Sequence, residues 1–545
     1  MRLFTCISLL TLAVCTPANA QLYNKVIQTS YGPVQGFKYF NQSTLQRNWN
    51  VSESNVAAFL SIPYAADTAY ENRWKPPQPR EAWNDTLLAD TWGPGCPTSY
   101  ATDYSEDCLT VNIWTGANSS SDKLPVLVYN QGSDEPSNNP VYYGGGLARK
   151  GLVVVTFNRR DDVFGYLAHP ELNEESLAEN GHSSSGIYGV LDFLALLQWV
   201  QENIEQFGGD PDRVTIAGQS FGSAQVYHAV NSELFSGLFR AAIADSGVRF
   251  PYDTLLAGLA DSYVSMSEAL ENGFNYTASH NVSSIAELRK LPLEEIIAGS
   301  GDRTTKLWWV TALSSQYPLV FKPALDGYVL PEKYIDSLFN GPANDVPFIT
   351  GNNKDESGAS TSTNYSVAEY TLACSLKYGN LSDSYFSLYP GNTTEQASRS
   401  WNAAARDTSL ISSWAFARDW AKAASSPFYT YYWDHAPPSQ TQGAYHESEI
   451  FYTMDTLYAN ADDHEWAWYD YHVAEIMSSY WVNFARTGDP NRGGAYPHGN
   501  LTHWAATDGQ SQTVFHVGDG FGDRALAKPE QVELILAYFA QQTPF

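Results

Sequence analysis

Short apolar runs recur through the middle of the chain and alternate with longer stretches of different spacing. "PVLVY" (125–129) and "LVVVTF" (152–157) are apolar on successive positions, which predicts strands buried on both faces. From 190 to 207 the period changes. Val190, Phe193, Leu194, Leu197, Val200, Ile204 and Phe207 fall near every 3.6 residues and predict a helix. "RVTIA" (213–217) predicts the next strand, and a helix begins near Gly222. "RAAIADS" (240–246), "PFITG" (347–351) and "FYTYYW" (428–433) continue the strand series, with long helical stretches between them. Buried strands alternating with helices predict an α/β sheet covered on both faces.

The N-terminus changes the setting of that core. Arg2 precedes an apolar run from Leu3 to Cys15, and Ala18-Asn19-Ala20 supplies small residues for cleavage. Residues 1–20 read as a secretory signal peptide, with a mature chain from Gln21. No later window is apolar enough to cross a membrane, and the C-terminus carries no anchor signal. Secretion gives meaning to the Asn-X-Ser/Thr sites at Asn41, Asn50, Asn84, Asn118, Asn275, Asn281, Asn364, Asn380, Asn392 and Asn500, which mark surface segments open to N-linked glycans. Cys6 and Cys15 leave with the signal. In an oxidising compartment the close pair Cys96 and Cys108 is expected to be bridged, leaving Cys374 as a free, buried small hydrophobe. The formal charge of −28 repels phosphate backbones, so nucleic acid is not an expected partner, and the acidity serves solubility.

Chemistry concentrates where the strand 213–217 meets Gly218-Gln219-Ser220-Phe221-Gly222 and turns helical. A strand, a Gly-X-Ser-X-Gly turn and a helix form a nucleophile elbow. The turn is tight, so Gly218 and Gly222 must be small. It lifts the Ser220 hydroxyl off the sheet and aims a helix N-terminus at a developing oxyanion.

The elbow block "FGGDPDRVTIAGQSFG" resembles that of the type-B carboxylesterase, or cholinesterase-like, family of α/β-hydrolases. "AAFLSIPYA" (57–65), "RWKPPQP" (73–79), "WGPGCP" (92–97), "SEDCLTVNIW" (105–114), "FKPALDGYVLP" (321–331) and "NFARTGDPN" (483–491) are similar to other family blocks and keep family order. The resemblance implies an α/β-hydrolase fold, with a large mixed central sheet and helices on both faces, as a single domain over 21–545. It implies a secreted carboxylesterase of fungal type, with no metal or cofactor. It also implies a triad in the order Ser, Glu, His. Ser220 is the nucleophile, His446 in "GAYHESEIFY" is its base, and Glu356 in "GNNKDES" orients the imidazole. Spacing alone does not choose between Asp355 and Glu356; the resemblance favours Glu356. Ser246 in "IADSGV" matches a serine behind the triad, where it would act as a hydrogen-bonder.

Several positions depart from the family. A glycine run that supplies oxyanion donors follows the strand that "PVLVY" resembles, but here the chain reads "YNQGSDEP" (129–136). Gly132 keeps a glycine, and Ser133 and Asp134 fall where donor glycines are expected. Both meet a conformational cost that glycine avoids, and a carboxylate at Asp134 opposes an oxyanion unless it is turned away or protonated. Phe221 supplies a further N–H at a position usually held by alanine. "YYGGGLA" (142–148) resembles a later block and is not a substitute. In "NRRDDVFGYL" (158–167), Arg159 and Asp162 replace an aromatic residue and a glycine, which suggests an Arg–Asp pair near the altered loop. Gln219 replaces a glutamate. The short Cys96–Cys108 loop has neither the tryptophan that binds choline in cholinesterases nor a long lid, which argues against choline esters and interfacial lipid.

These features together predict hydrolysis of small or medium uncharged carboxyl esters through an acyl-enzyme. Two alternatives stand beside it. One is acyl transfer, lactone or other specialised chemistry at the altered loop. The other is a catalytically weak binding protein of cholinesterase-like type.

Overall fold

A computed structural model describes residues 21–40, 54–257, 263–304 and 318–545. The expected signal segment 1–20 and the Asn-X-Ser/Thr sites at Asn41 and Asn50 lie outside the described residues. The main sheet contains β1 (Phe37–Lys38), β2 (Ala57–Pro63), β3 (Thr110–Thr115), β4 (Leu124–Asn130), β5 (Val153–Phe157), β6 (Gly209–Gln219), β7 (Ala241–Asp245), β8 (Phe348–Asn353), β9 (Phe428–Trp433), β10 (Thr513–Val517) and β11 (Gly522–Ala525). Their spatial order is β1-β2-β3-β5-β4-β6-β7-β8-β9-β10-β11. The strands from β5 to β10 pair in parallel, and antiparallel pairs close both edges.

Every predicted strand is present, within a few residues of its expected ends. The continuous apolar runs have a direct cause. Alternate side chains of a strand point to opposite faces, and both faces are covered. Val126, Val128, Val153, Val155 and Ile216 join one hydrophobic cluster, while Leu127, Tyr129, Val154 and Ala217 join the other. The first cluster takes in Val190, Phe193 and Leu197 of α1 (Tyr188–Asn203), all of α2 (Phe221–Val230) that is apolar, and Phe416 and Trp420 of α3 (Thr394–Ala423). The second takes in Val473, Met477 and Trp481 of α4 (Trp468–Thr487). Each such large side chain contributes about 1.5–3 kcal/mol on burial. The helix predicted over 190–207 ends as a tighter 3-10 turn over Ile204–Phe207, closed by Gly208 at φ 82°.

The register brings the carboxyl ends of the central strands to one edge. Asn130 of β4 pairs with Gly218 of β6, Gln219 with Asp245 of β7, and Asp245 with Gly351 of β8. Ligands of open α/β sheets bind at that edge, because the loops there diverge over a crevice.

Cys96 and Cys108 are bridged, and Cys374 is free and buried. The asparagines of the eight remaining Asn-X-Ser/Thr sites are exposed, as surface segments require. No helix among the described residues is long and apolar enough to cross a membrane.

The bridge closes a short loop, 12 residues in sequence separation, that packs against the catalytic edge through Ser99 N–H on Asp162 Oδ2 at 3.4 Å. Replacing both cysteines by serine is expected to cost about 2–3 kcal/mol. Urea denaturation checks the magnitude, and non-reducing peptide mapping should find Cys374 unpaired.

Candidate active site

The geometry at Ser220 follows from how closely the chain passes itself. A Cβ at Gly218 would lie 2.4 Å from the Gly222 carbonyl oxygen, and one at Gly222 would lie 2.0 Å from the Asn130 carbonyl oxygen. Neither position has room for a side chain. Ser220, held between them, takes φ 57° and ψ −123°, a conformation that costs a non-glycine residue on the order of 1–3 kcal/mol. Hydrogen bonds offset that cost. Ser220 N–H donates to the Asp245 carbonyl at 3.0 Å, and the Ser220 carbonyl accepts Ser223 N–H at 3.0 Å and Ser223 Oγ at 2.7 Å.

Two adjacent acids on the loop after β8 divide the work. Glu356 Oε2 receives His446 Nδ1–H at 2.6 Å, and Glu356 Oε1 accepts Asn353 N–H at 2.8 Å. Asp355 faces the other way. It pairs with Arg406 at 2.6 Å and accepts Ala444 N–H at 2.9 Å, so it braces the segment that carries His446. With Nδ1 protonated toward Glu356, His446 Nε2 is left as an acceptor, and the Gln219 side-chain amide donates to it at 3.1 Å. The Ser220 hydroxyl makes no hydrogen bond to a described residue. Ser246, at φ 56°, is anchored by its N–H on the Gly351 carbonyl, while its buried hydroxyl has no partner among the described residues.

Carboxyls crowd this edge. Desolvation pulls the His446 pKa down, but the hydrogen bond and charge of Glu356, with Glu447 and Glu449 beyond it, outweigh that and raise it to about 9. Burial raises Glu449 to about 8 and Asp245 to about 7, the nearby Glu356 charge adding to both.

The altered loop after β4 is held from behind by Arg159. Its guanidinium donates to Asn130 Oδ1 at 2.6 Å and to the Gly132 carbonyl at 3.1 Å, and lies 5.2 Å from the Phe221 ring centroid. Its ion-pair partner is Asp161, with Nε 3.1 Å from Oδ1, which corrects the expected role of Asp162. Asp161 Oδ2 also accepts Asp134 N–H at 3.3 Å, so that N–H is turned away from Ser220. Asp134 sits at φ 61°. Burial raises its carboxyl pKa above the usual range against the pull of Arg159, which favours the neutral form. Asp162 is pushed up further by burial and by Asp134 and Asp161, and burial lifts Asp161 to about 7. Gly132 flanks Ser220: its Cβ position lies 3.7 Å from Ser220 Cβ. Gly132 N–H lies beside the buried Tyr142 hydroxyl. Ser133 N–H and Phe221 N–H have no acceptor among the described residues.

Asp161, Ser223 and Glu449 were not singled out in the sequence. Only the Arg-Arg-Asp-Asp run at 159–162 signalled the first of them.

A model of the Carboxylesterase family matches residues 23–534. A fumonisin B1 esterase from Sphingopyxis macrogoltabida is 32% identical over 499 residues, covering 86% of this chain and 85% of that protein. A para-nitrobenzyl esterase from Bacillus subtilis (strain 168) is 28% identical over 498 residues, covering 86% and 91%. A solved structure of a PNB esterase superposes with a TM-score of 0.72 at 25% identity, covering 94% of this chain and 99% of that one. The sheet order, the elbow and the extent of these matches place the chain in the Carboxylesterase family, on an α/β-hydrolase fold.

Proposed function

We propose that the protein is a secreted, glycosylated serine hydrolase of small or medium uncharged carboxyl esters, working through an acyl-enzyme as one domain over 21–545. The observation that carries the reading is the Glu356–His446 pair, 2.6 Å apart, beside a serine held in an elbow conformation. His446 Nε2 takes the Ser220 proton as Oγ bonds to the ester carbonyl carbon, and Glu356 fixes the tautomer and stabilises the imidazolium. Breaking the carbon–oxygen bond sends the proton from His446 to the departing alcohol. Water then attacks the acyl-serine, with His446 again as base, and releases the acid and free Ser220. Phe221 N–H and Ser133 N–H stabilise the oxyanion in both halves. Likeness to a fumonisin B1 esterase and a para-nitrobenzyl esterase supports ester substrates. The disulfide and the exposed glycosylation sites support secretion.

A second reading, a catalytically weak binding protein, is favoured by one observation: Gln219, not Ser220, holds His446 Nε2. A fluorophosphonate probe separates the two. Labelling at Ser220 together with turnover of p-nitrophenyl acetate supports hydrolysis, and absence of both supports binding. Ser220→Ala is expected to leave the thermal midpoint within a few degrees and to cut turnover by roughly 10⁴-fold or more. Near-native turnover would remove Ser220 from the reaction.

The pH profile follows from His446. The base must be neutral to accept a proton, and Glu356 stabilises the charged form. The kcat/KM is therefore expected to rise with pH through an apparent pKa above the ordinary imidazole value of about 6.5, toward 9. Glu356→Gln removes the hydrogen bond to a carboxylate and its charge, so the midpoint should move down while kcat falls by about 10⁴-fold. Initial rates from pH 5.5 to 10, corrected for spontaneous hydrolysis, check both. An upward shift in the variant would contradict the role given to Glu356.

A further inference from the structure

Two unusual stretches of the sequence meet in space. "QGSD" (131–134) lacks the glycines that let a loop turn its N–H groups toward an oxyanion, and "RRDD" (159–162) places a buried guanidinium behind that loop. We propose that Arg159 is a positioning residue for the oxyanion hole: by holding the Gly132 carbonyl it turns Ser133 N–H toward the acyl oxygen above Ser220. The inference rests on the hydrolase reading and adds to it the device that lets this loop work.

The Gly132 carbonyl and the Ser133 N–H belong to one trans peptide unit and point in opposite directions. Arg159 takes the carbonyl at 3.1 Å from the side of Phe221 and Asn130, so the N–H faces away from Arg159. The loop flanks Ser220 there, and Ser133 is only partly buried. The neighbouring units are committed elsewhere. Asp134 N–H is taken by Asp161 Oδ2 at 3.3 Å, and Asp161 is fixed in turn by Arg159 Nε at 3.1 Å. One guanidinium thus holds residues 132 to 134 at two points, directly at Gly132 and through Asp161 at Asp134.

Arg159 is itself held rigidly. It follows β5, which lies parallel to β4, so its side chain reaches the end of β4 across one strand spacing. The next residue, Arg160, is locked by a buried bidentate pair with Asp192 of α1, at 2.9 and 2.6 Å, and its own N–H also donates to Asp192 at 2.9 Å. That fixes the backbone from which Arg159 projects. The planar fork matters. Two N–H donors reach Asn130 and Gly132 while Nε stands 3.1 Å from Asp161 as an ion pair, an arrangement that a lysine ammonium on a flexible stem does not reproduce.

The experiment compares native protein, Arg159→Lys, a loop carrying Ser133→Gly with Asp134→Gly, and the combination of all three changes. Each is tested for kcat and KM on p-nitrophenyl acetate, for inhibition by an alkyl trifluoromethyl ketone, which forms an oxyanion on serine, and for thermal midpoint. In the native loop Arg159→Lys is expected to lower kcat by about 10²–10³-fold, the usual effect of one lost oxyanion donor, with KM changed less than about threefold. The inhibition constant of the ketone should rise by a similar factor, which a merely structural role would not require. In the diglycine loop the same substitution should cost less than about tenfold, because glycine reaches the needed backbone conformation without the brace. If Arg159→Lys does not fold, Arg159→Met, which fills the space but has no donor toward Gly132, carries the same expectations. A loss in kcat below threefold, an unchanged ketone affinity, or an equal cost in both loops would overturn the proposal. Absence of turnover and of fluorophosphonate labelling in the native protein would instead defeat the hydrolase reading beneath it.

Discussion

The contact on which the site depends is the approach of Gly222 to the Asn130 carbonyl. No side chain fits between them, and the contact locks the start of α2 against the end of β4. It sets the nucleophile and the oxyanion loop at a fixed separation, because Ser220 lies two residues before Gly222 and Gly132 two residues after Asn130. The strained Ser220 backbone is sustained by that packing and by the Asp245 carbonyl. From this point the parallel register carries the constraint outward: β7 positions Ser246, β8 delivers Glu356, and the segment after β9 returns His446 to it.

Electrostatics then impose a cost that the site manages rather than avoids. Asp245, Glu447 and Glu449 lie near the His446–Glu356 pair, and Asp134, Asp161 and Asp162 lie near Arg159. Burial disfavours ionising so many carboxyls at once, so several are held partly or wholly neutral near pH 7. Burial raises the Asp134 carboxyl above the usual range, which lessens the difficulty that its charge raises beside an oxyanion. With His446 raised, the proposed base works best on the alkaline side.

Much of this was legible in the sequence. The apolar runs marked each central strand because burial on both faces leaves no polar alternation to mislead. Gly218 and Gly222 marked the elbow because the turn leaves no space for a Cβ. The antiparallel strands Ala57–Pro63 and Thr110–Thr115 were not read as strands: the first is interrupted by a bulge between Phe59 and Ile62, and the second breaks its apolar run with the buried polar residues Thr110, Asn112 and Thr115. Spacing did not separate Asp355 from Glu356, and only the family resemblance favoured Glu356. Neighbouring acids on one loop point in opposite directions, and only Arg406 and His446, distant in sequence, reveal which does what. Arg159 was visible as an anomaly, but its purpose depends on β5 lying beside β4.

The central claim is that a loop without the usual glycines still presents an oxyanion donor because Arg159 holds it. The most direct measurement is a crystal structure of the protein carrying a phosphonate on Ser220, whose phosphoryl oxygen stands where the oxyanion forms. The account predicts that oxygen within about 2.7–3.1 Å of Phe221 N and Ser133 N, with Arg159 still on the Gly132 carbonyl. A phosphoryl oxygen bonded to Asp134 N, or a Gly132 carbonyl turned away from Arg159, would contradict it.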